Sequence, residues 1–134
     1  MAESGISIPF AEHLQVEVLE VSAQRGLVAL NERAELRNSS GTLHGGVLMT
    51  LLDYVMSMAL RGHHGVTAPV ITIDMSVSFM KSCSGRVIAE GRVLHGGRST
   101  SFCEGEVRSE SGDLLAKAIG TLRLVLPRQD RQDP

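Results

Sequence analysis

The chain has 134 residues, enough for one domain built around one core. Lysine and arginine number 13 against 15 aspartates and glutamates, a formal net charge of −2, which argues against a broad basic surface for nucleic acid or an anionic membrane. The two cysteines, Cys83 and Cys103, lie far apart and outside any Cys-x-x-Cys pattern, which argues against a disulfide scaffold or a zinc site and fits a reducing cytoplasm.

Residues 1–8 read as a loose start without the basic and apolar segments of a signal peptide. Over 14–21, apolar Leu14, Val16 and Val18 alternate with Gln15 and Glu17, the period of a half-buried strand. Gln24, Arg25 and Gly26 make a turn, after which 27–34 can pair back as a hairpin. Asn38, Ser39, Ser40 and Gly41 are loop chemistry. A long helix is expected over 45–61, ended by Gly62 and the two histidines after it. Strands at 70–80, 87–94, 100–108 and 114–126 follow, with turns at His95-Gly96-Gly97 and Ser109-Glu110-Ser111-Gly112. In the first of these strands Ile71, Ile73, Met75, Val77 and Phe79 alternate and are expected on one face. Residues 127–134 read as a charged tail that frays, so the single domain 1–134 has an ordered core over about 9–126.

The expected helix is apolar around nearly its whole circumference, which marks it as buried. Its apolar stretch, 47–60, is shorter than the roughly 20 residues a bilayer requires and contains Asp53. One buried helix among several antiparallel strands is most economically packed inside a curved sheet, an α+β architecture. A soluble cytoplasmic domain is expected.

One narrow line on the helix differs. Gly46, Thr50, Asp53, Ser57 and Arg61 fall on one face at 3.6 residues per turn. Asp53 is either a hydrogen-bonded structural group on a thin solvated seam or a general base or nucleophile. The amino end of the same helix, His44-Gly45-Gly46, supplies complementary chemistry. Its first N–H groups lack intrahelical partners, and the glycines carry no side chain to obstruct a ligand. A carbonyl oxygen that becomes negative during acyl transfer is stabilised at such a point, by about 3 kcal/mol per donor. Gly45 and Asp53 are eight residues apart, about 12 Å along the axis. A reacting carbonyl must lie about 3 Å from both donor and carboxylate. If both residues are catalytic, one helix cannot serve one substrate, whereas two antiparallel helices about a two-fold axis can. A homodimer with two shared sites is expected.

At these residues the chain resembles the hotdog-fold acyl-CoA thioesterases, in particular the phenylacetate-pathway (PaaI-like) branch. The likeness rests on Asn38, the segment His44-Gly45-Gly46 and Asp53 seven residues after its second glycine, and extends from the first strand to the last. The resemblance implies a hotdog fold, a curved antiparallel sheet wrapped around one long helix. It implies hydrolysis of an acyl-coenzyme A thioester by water, with no metal or redox cofactor. Gly45 N–H would polarise the carbonyl, His44 would orient the loop, and Asn38 would help hold water or the thioester. Asp53 of the partner subunit would be base or nucleophile, with Thr72 placing water. Coenzyme A contacts would come from Gly46, Phe79 and the run His95, Gly96, Gly97, Arg98, Ser99 and Thr100, with Arg98 placed for phosphate. The family often has proline after the loop asparagine, where this chain has Ser39. Relatives often form tetramers from two dimers.

Other readings have less support. A lipase-like oxyanion segment needs a Gly-x-Ser-x-Gly elbow, which is absent, and the run 96–100 lacks the lysine and glycine spacing of a phosphate loop. A hydratase or dehydratase on the same fold typically carries Asp and His a few residues apart along the helix, but no His follows Asp53 until His63. A non-catalytic acyl-CoA-binding module has no need of Asn38, Gly45 and Asp53 together.

Overall fold

The computed structural model describes residues 6–126, so the expected tail and most of the expected loose start lie outside the described residues. The elements in chain order are α1 (Pro9–His13), β1 (Glu17–Val21), β2 (Gly26–Leu30), a 3-10 turn (Ala34–Leu36), α2 (Gly45–His64), β3 (Val70–Phe79), β4 (Val87–Gly96), β5 (Ser101–Ser109) and β6 (Leu114–Leu124). The strands form one six-stranded sheet in the order β1-β2-β4-β5-β6-β3, antiparallel throughout. The sheet packs against α2, as the apolar circumference of that helix demands. No helix among the described residues is long and apolar enough to cross a membrane.

The core is α2 against the concave side of the sheet. Leu51, Leu52, Val55, Met56, Met58 and Leu60 are fully buried, each worth about 1.5–3 kcal/mol in apolar burial. They meet Val28, Leu30, Val87, Ala89, Val107, Leu115 and Leu122 from the strands. A row of small residues crosses the sheet beneath the helix. Gly26 is paired with Gly91, Gly91 with Gly105, and Gly105 with Ala118. A Cβ on Gly91 would stand 2.3 Å from the Val55 carbonyl oxygen, and one on Gly26 2.9 Å from Met58 Cβ. Backbone therefore lies directly on backbone at the middle of the fold, an approach only glycine permits.

Three boundaries and one strand register differ from expectation. α2 does not stop at Gly62; it continues to His64 and is capped by Gly65 in the left-handed region (φ 66°), the usual helix terminator. Gly62 is instead a packing glycine, where a Cβ would lie 2.2 Å from the Ser22 carbonyl oxygen. Leu14 does not begin a strand. It closes α1, whose Pro9 stands at the first helical positions, and Gln15 at φ 60° turns the chain toward β1. The second strand ends at Leu30, and Ala34 opens the 3-10 turn.

The fourth difference bears on function. A β-bulge at Ile73 breaks the alternation of β3: Thr72 pairs with Leu122 and Asp74 with Thr121, leaving Ile73 unmatched. Ile71 and Ile73 are consequently exposed, while Thr72, Met75 and Val77 are half-buried. The five apolar side chains of this strand do not share one face.

Candidate active site

The amino end of α2 is built by His44. Its backbone is extended (φ −64°, ψ 137°), and its N–H donates to the Leu36 carbonyl at 2.9 Å. Its ring folds back so that Nδ1 accepts from Gly46 N–H at 2.8 Å, which leaves Nε2 to carry the ring hydrogen. The His44 carbonyl accepts from Val47 N–H at 2.9 Å and Leu48 N–H at 3.4 Å. The cap thus takes up the amides of Gly46, Val47 and Leu48 but does not engage that of Gly45. The ring of Phe79 lies beside this glycine, 3.4 Å from where a Cβ would stand. His44, Gly45, Gly46 and Phe79 are brought together at one end of the helix.

Two turns on, Asp53 is half-buried and accepts a hydrogen bond from the Thr72 hydroxyl at Oδ1. The bulge makes this contact. Strict alternation with Ile71 and Ile73 turned inward would aim Thr72 away from the helix. With the extra residue at Ile73, Thr72 and Met75 both face inward, and Thr72 meets the carboxylate.

Asn38 spends its amide on its own loop. Oδ1 accepts from Ser40 N–H at 2.9 Å and Thr42 N–H at 3.1 Å, and Nδ2 donates to the Thr42 hydroxyl at 3.0 Å. The loop so closed leads directly into His44. The run 95–100 stands elsewhere, and His95 and Gly96, expected in a turn, instead close β4, paired with Phe102 and Ser101 of β5. The His63 ring lies 2.6 Å from where a Cβ on Gly96 would be, so the end of β4 abuts the carboxyl end of α2. His63 is eighteen residues from Gly45, about 27 Å along the axis. Gly97 makes the turn tight, with a Cβ there 2.1 Å from the Thr100 carbonyl oxygen. The His95 and Phe102 rings lie 6.4 Å apart, tilted by 35°, Arg98 and Ser99 are exposed, and Thr100 is half-buried. Within one chain these six residues do not meet the amino end of α2.

Residues 40–116 match the model of the thioesterase superfamily. The chain belongs to that superfamily. Human acyl-coenzyme A thioesterase 13 is similar, 32% identical over 119 residues that span 83% of this chain and 76% of the relative. Among solved structures, the conserved protein PA5202 from Pseudomonas aeruginosa superposes with a TM-score of 0.86 at 29% identity, covering 93% of this chain and all of that one (100%). The E. coli PaaI protein superposes with a TM-score of 0.81, covering 90% of this chain and 86% of that one, a likeness of fold at 17% identity. The hotdog fold of the PaaI-like thioesterases is therefore the fold observed, and the chain is a thioester hydrolase.

In this thioesterase a groove of about 310 Å³ lies beside the amino end of α2. His44, Gly46, Val47 and Thr50 line it from the helix, and Phe10 and Leu14 from α1. The 3-10 turn closes it with Leu36, flanked by Glu35 and Arg37. Of these residues only His44 and Gly46 were expected at the site. The signal for the others was faint: Phe10, Ala11 and Leu14 have a helical spacing too short to stand out.

Arg61, at the far end of the same helix stripe, is buried. Its Nε donates to the Ala68 carbonyl at 2.9 Å, while Nη1 has no partner among the described residues. Burial holds its pKa below the usual guanidinium value. It pins the chain that leads into β3 and hence toward Thr72.

Proposed function

We propose that this thioesterase hydrolyses acyl-coenzyme A to free acid and coenzyme A in sites shared across a homodimer. The observation that carries the reading is that one helix bears, about 12 Å apart, the Gly45 amide, unengaged among the described residues, and Asp53, which Thr72 of β3 holds. With two helices antiparallel, Gly45 of one subunit faces Asp53 of the partner subunit. The Gly45 N–H then stabilises the thioester oxygen as charge develops there. The carboxylate either removes a proton from water as water attacks the carbonyl carbon, or attacks that carbon itself to give an anhydride that water then cleaves. Coenzyme A thiol leaves in both routes. The Thr72 hydroxyl fixes the carboxylate, and Asn38 and His44 hold the loop that presents Gly45.

The same arrangement gives the distant turn a use. The 95–100 segment of the subunit that supplies Asp53, the end of β4 and the turn after it, lies about 15 Å past the shared site, counting ten residues from Asp53 to His63. That suits the nucleotide end of a long thiol ester, with Arg98 toward phosphate. Leu94, Phe102 and Ile119 stand exposed on the outer face of the sheet. A second dimer covers them in the tetramer this reading expects.

Subunit complementation tests the shared site. Gly45→Pro removes one N–H at a position where proline suits a helix, and the extended His44 before it is compatible. Gly45→Pro and Asp53→Asn are each expected to lose thiol release from acyl-coenzyme A by at least about a hundredfold. Co-expressed, they restore about a quarter of wild-type activity, from one intact site in each mixed dimer. Failure to complement, with mixed dimers demonstrably formed, overturns the shared site. Tight binding of acyl-coenzyme A without turnover in the wild type overturns hydrolysis.

A further inference from the structure

The groove between α1, the 3-10 turn and α2 has an occupant that its chemistry specifies. We propose that it receives the acyl chain of the substrate, an uncharged aliphatic or aryl group larger than acetyl, and that Phe10 sets how much chain length gains from it. This rests on the thioester reading of the same site.

Position is the first argument. Gly46 and Thr50 form its floor, Gly46 follows the oxyanion donor directly, and both share the stripe that carries Asp53. An acyl group whose carbonyl rests at Gly45 has this groove beside it. The polar atoms of the floor are already occupied. His44 Nδ1 holds Gly46 N–H, and the Thr50 hydroxyl donates to the Gly46 carbonyl at 2.9 Å. Between them Phe10, Leu14, Leu36 and Val47 supply apolar surface. The charges at the rim are paired as well, Glu35 with Arg33 at 3.1 Å and Arg37 with Glu32 at 3.2 Å. A chain ending in a carboxylate finds no free cation there among these residues.

The wall is held rather than loose. Ala11 and Leu14 are buried, and Arg33 donates to the carbonyls of His13 at 2.8 Å and Leu14 at 3.0 Å. Phe10 is thereby kept out of the core, 57% exposed, over the groove. At about 310 Å³ the space stands at the small end of ligand pockets, suited to a medium-length chain or a single ring.

The test is a chain-length series of acyl-coenzyme A esters from acetyl to dodecanoyl, in wild type, Phe10→Ala and Phe10→Trp. In the wild type kcat/KM is expected to rise about fourfold per methylene and then level off. The octanoyl-to-acetyl ratio falls about tenfold in Phe10→Ala and is kept in Phe10→Trp, whose ring rebuilds the wall. A flat series, or an equal ratio in wild type and Phe10→Ala, overturns the proposal. Binding of S-alkyl coenzyme A thioethers of the same lengths separates the two readings. A length dependence of affinity that weakens in Phe10→Ala, without hydrolysis of any ester, supports the groove while sinking the hydrolase.

Discussion

The face of α2 turned to the sheet and the face turned away from it are constrained in opposite ways. Toward the sheet the helix is fully buried and touches strand backbone at Gly26 and Gly91, with no room for one added carbon. On the other side, where only the sheet's edge strand β3 reaches Asp53 through Thr72, Gly46, Thr50, Asp53 and Ser57 are all half-buried and small or polar. The sheet-facing side is fixed by packing, so change there is felt as stability. The open side is fixed by hydrogen bonds among few atoms, so change there is felt as chemistry. The two kinds of constraint are less than one helix diameter apart, which is how an adaptable site is held on a rigid support.

Asp53→Asn breaks this comparison most sharply if it fails. The amide has the shape of the carboxylate and still accepts from the Thr72 hydroxyl. Activity should fall by about a thousandfold or more, because neither a base nor a nucleophile remains. The unfolding free energy read from urea titration should change by no more than about 1 kcal/mol. A loss of stability comparable to the loss of activity shows instead that Asp53 is a structural group.

Gly91→Ala is the converse. The new Cβ meets the Val55 carbonyl oxygen at 2.3 Å and its carbon at 2.4 Å, and neither can turn aside as a side chain would. A cost of about 3 kcal/mol is expected, read from urea unfolding. Gly62→Ala, 2.2 Å from the Ser22 carbonyl oxygen, belongs to the same class. An alanine tolerated at Gly91 means that helix and sheet are not in backbone contact.

How far the sequence discloses this division differs from one face to the other. The helix and the four strands after it follow from apolar period, and Asp53 stands out as one charge in an apolar run. The glycine row is invisible there, because Gly26, Gly91 and Gly105 become neighbours only through strand register. The bulge at Ile73 is hidden for the same reason: alternation continues through it, and only pairing with β6 reveals the extra residue. Thr72 is therefore a site residue by likeness to the family and an outward one by period. The groove needs three separate segments, one of them only five residues long. Asn38 could be located but not its bonding, since the return of Thr42 onto its amide depends on the loop's own shape.

Cys103 sharpens the packed side by titration. It is fully buried, and burial pushes its thiol from the ordinary 9.0 up to about 11. The folded-state pKa is raised, so its contribution is complete below pH 9 and disappears as pH rises to about 11, when the unfolded chain has already lost the proton. The loss amounts to about 2–3 kcal/mol over that interval. Urea midpoints of wild type and Cys103→Ala measured from pH 8 to 11 should converge, the variant starting lower and falling less. Parallel curves show that the thiol is not sealed from water.

Gly65→Ala carries the smallest effect and separates the two uses of glycine on this helix. Gly65 has open space where a Cβ would go, so packing predicts no cost. Its φ of 66° predicts one, because a side chain in the left-handed region is strained by about 1 kcal/mol. Its N–H closes the helix onto the Arg61 and Gly62 carbonyls, so the conformation cannot be given up without fraying the last turn. Asparagine tolerates this region better than alanine, so Gly65→Asn should recover part of the loss in a thermal melt. Equal melting of the alanine and asparagine variants means that the last turn frays at no cost, and that Gly62, held against Ser22, is the effective end of the helix.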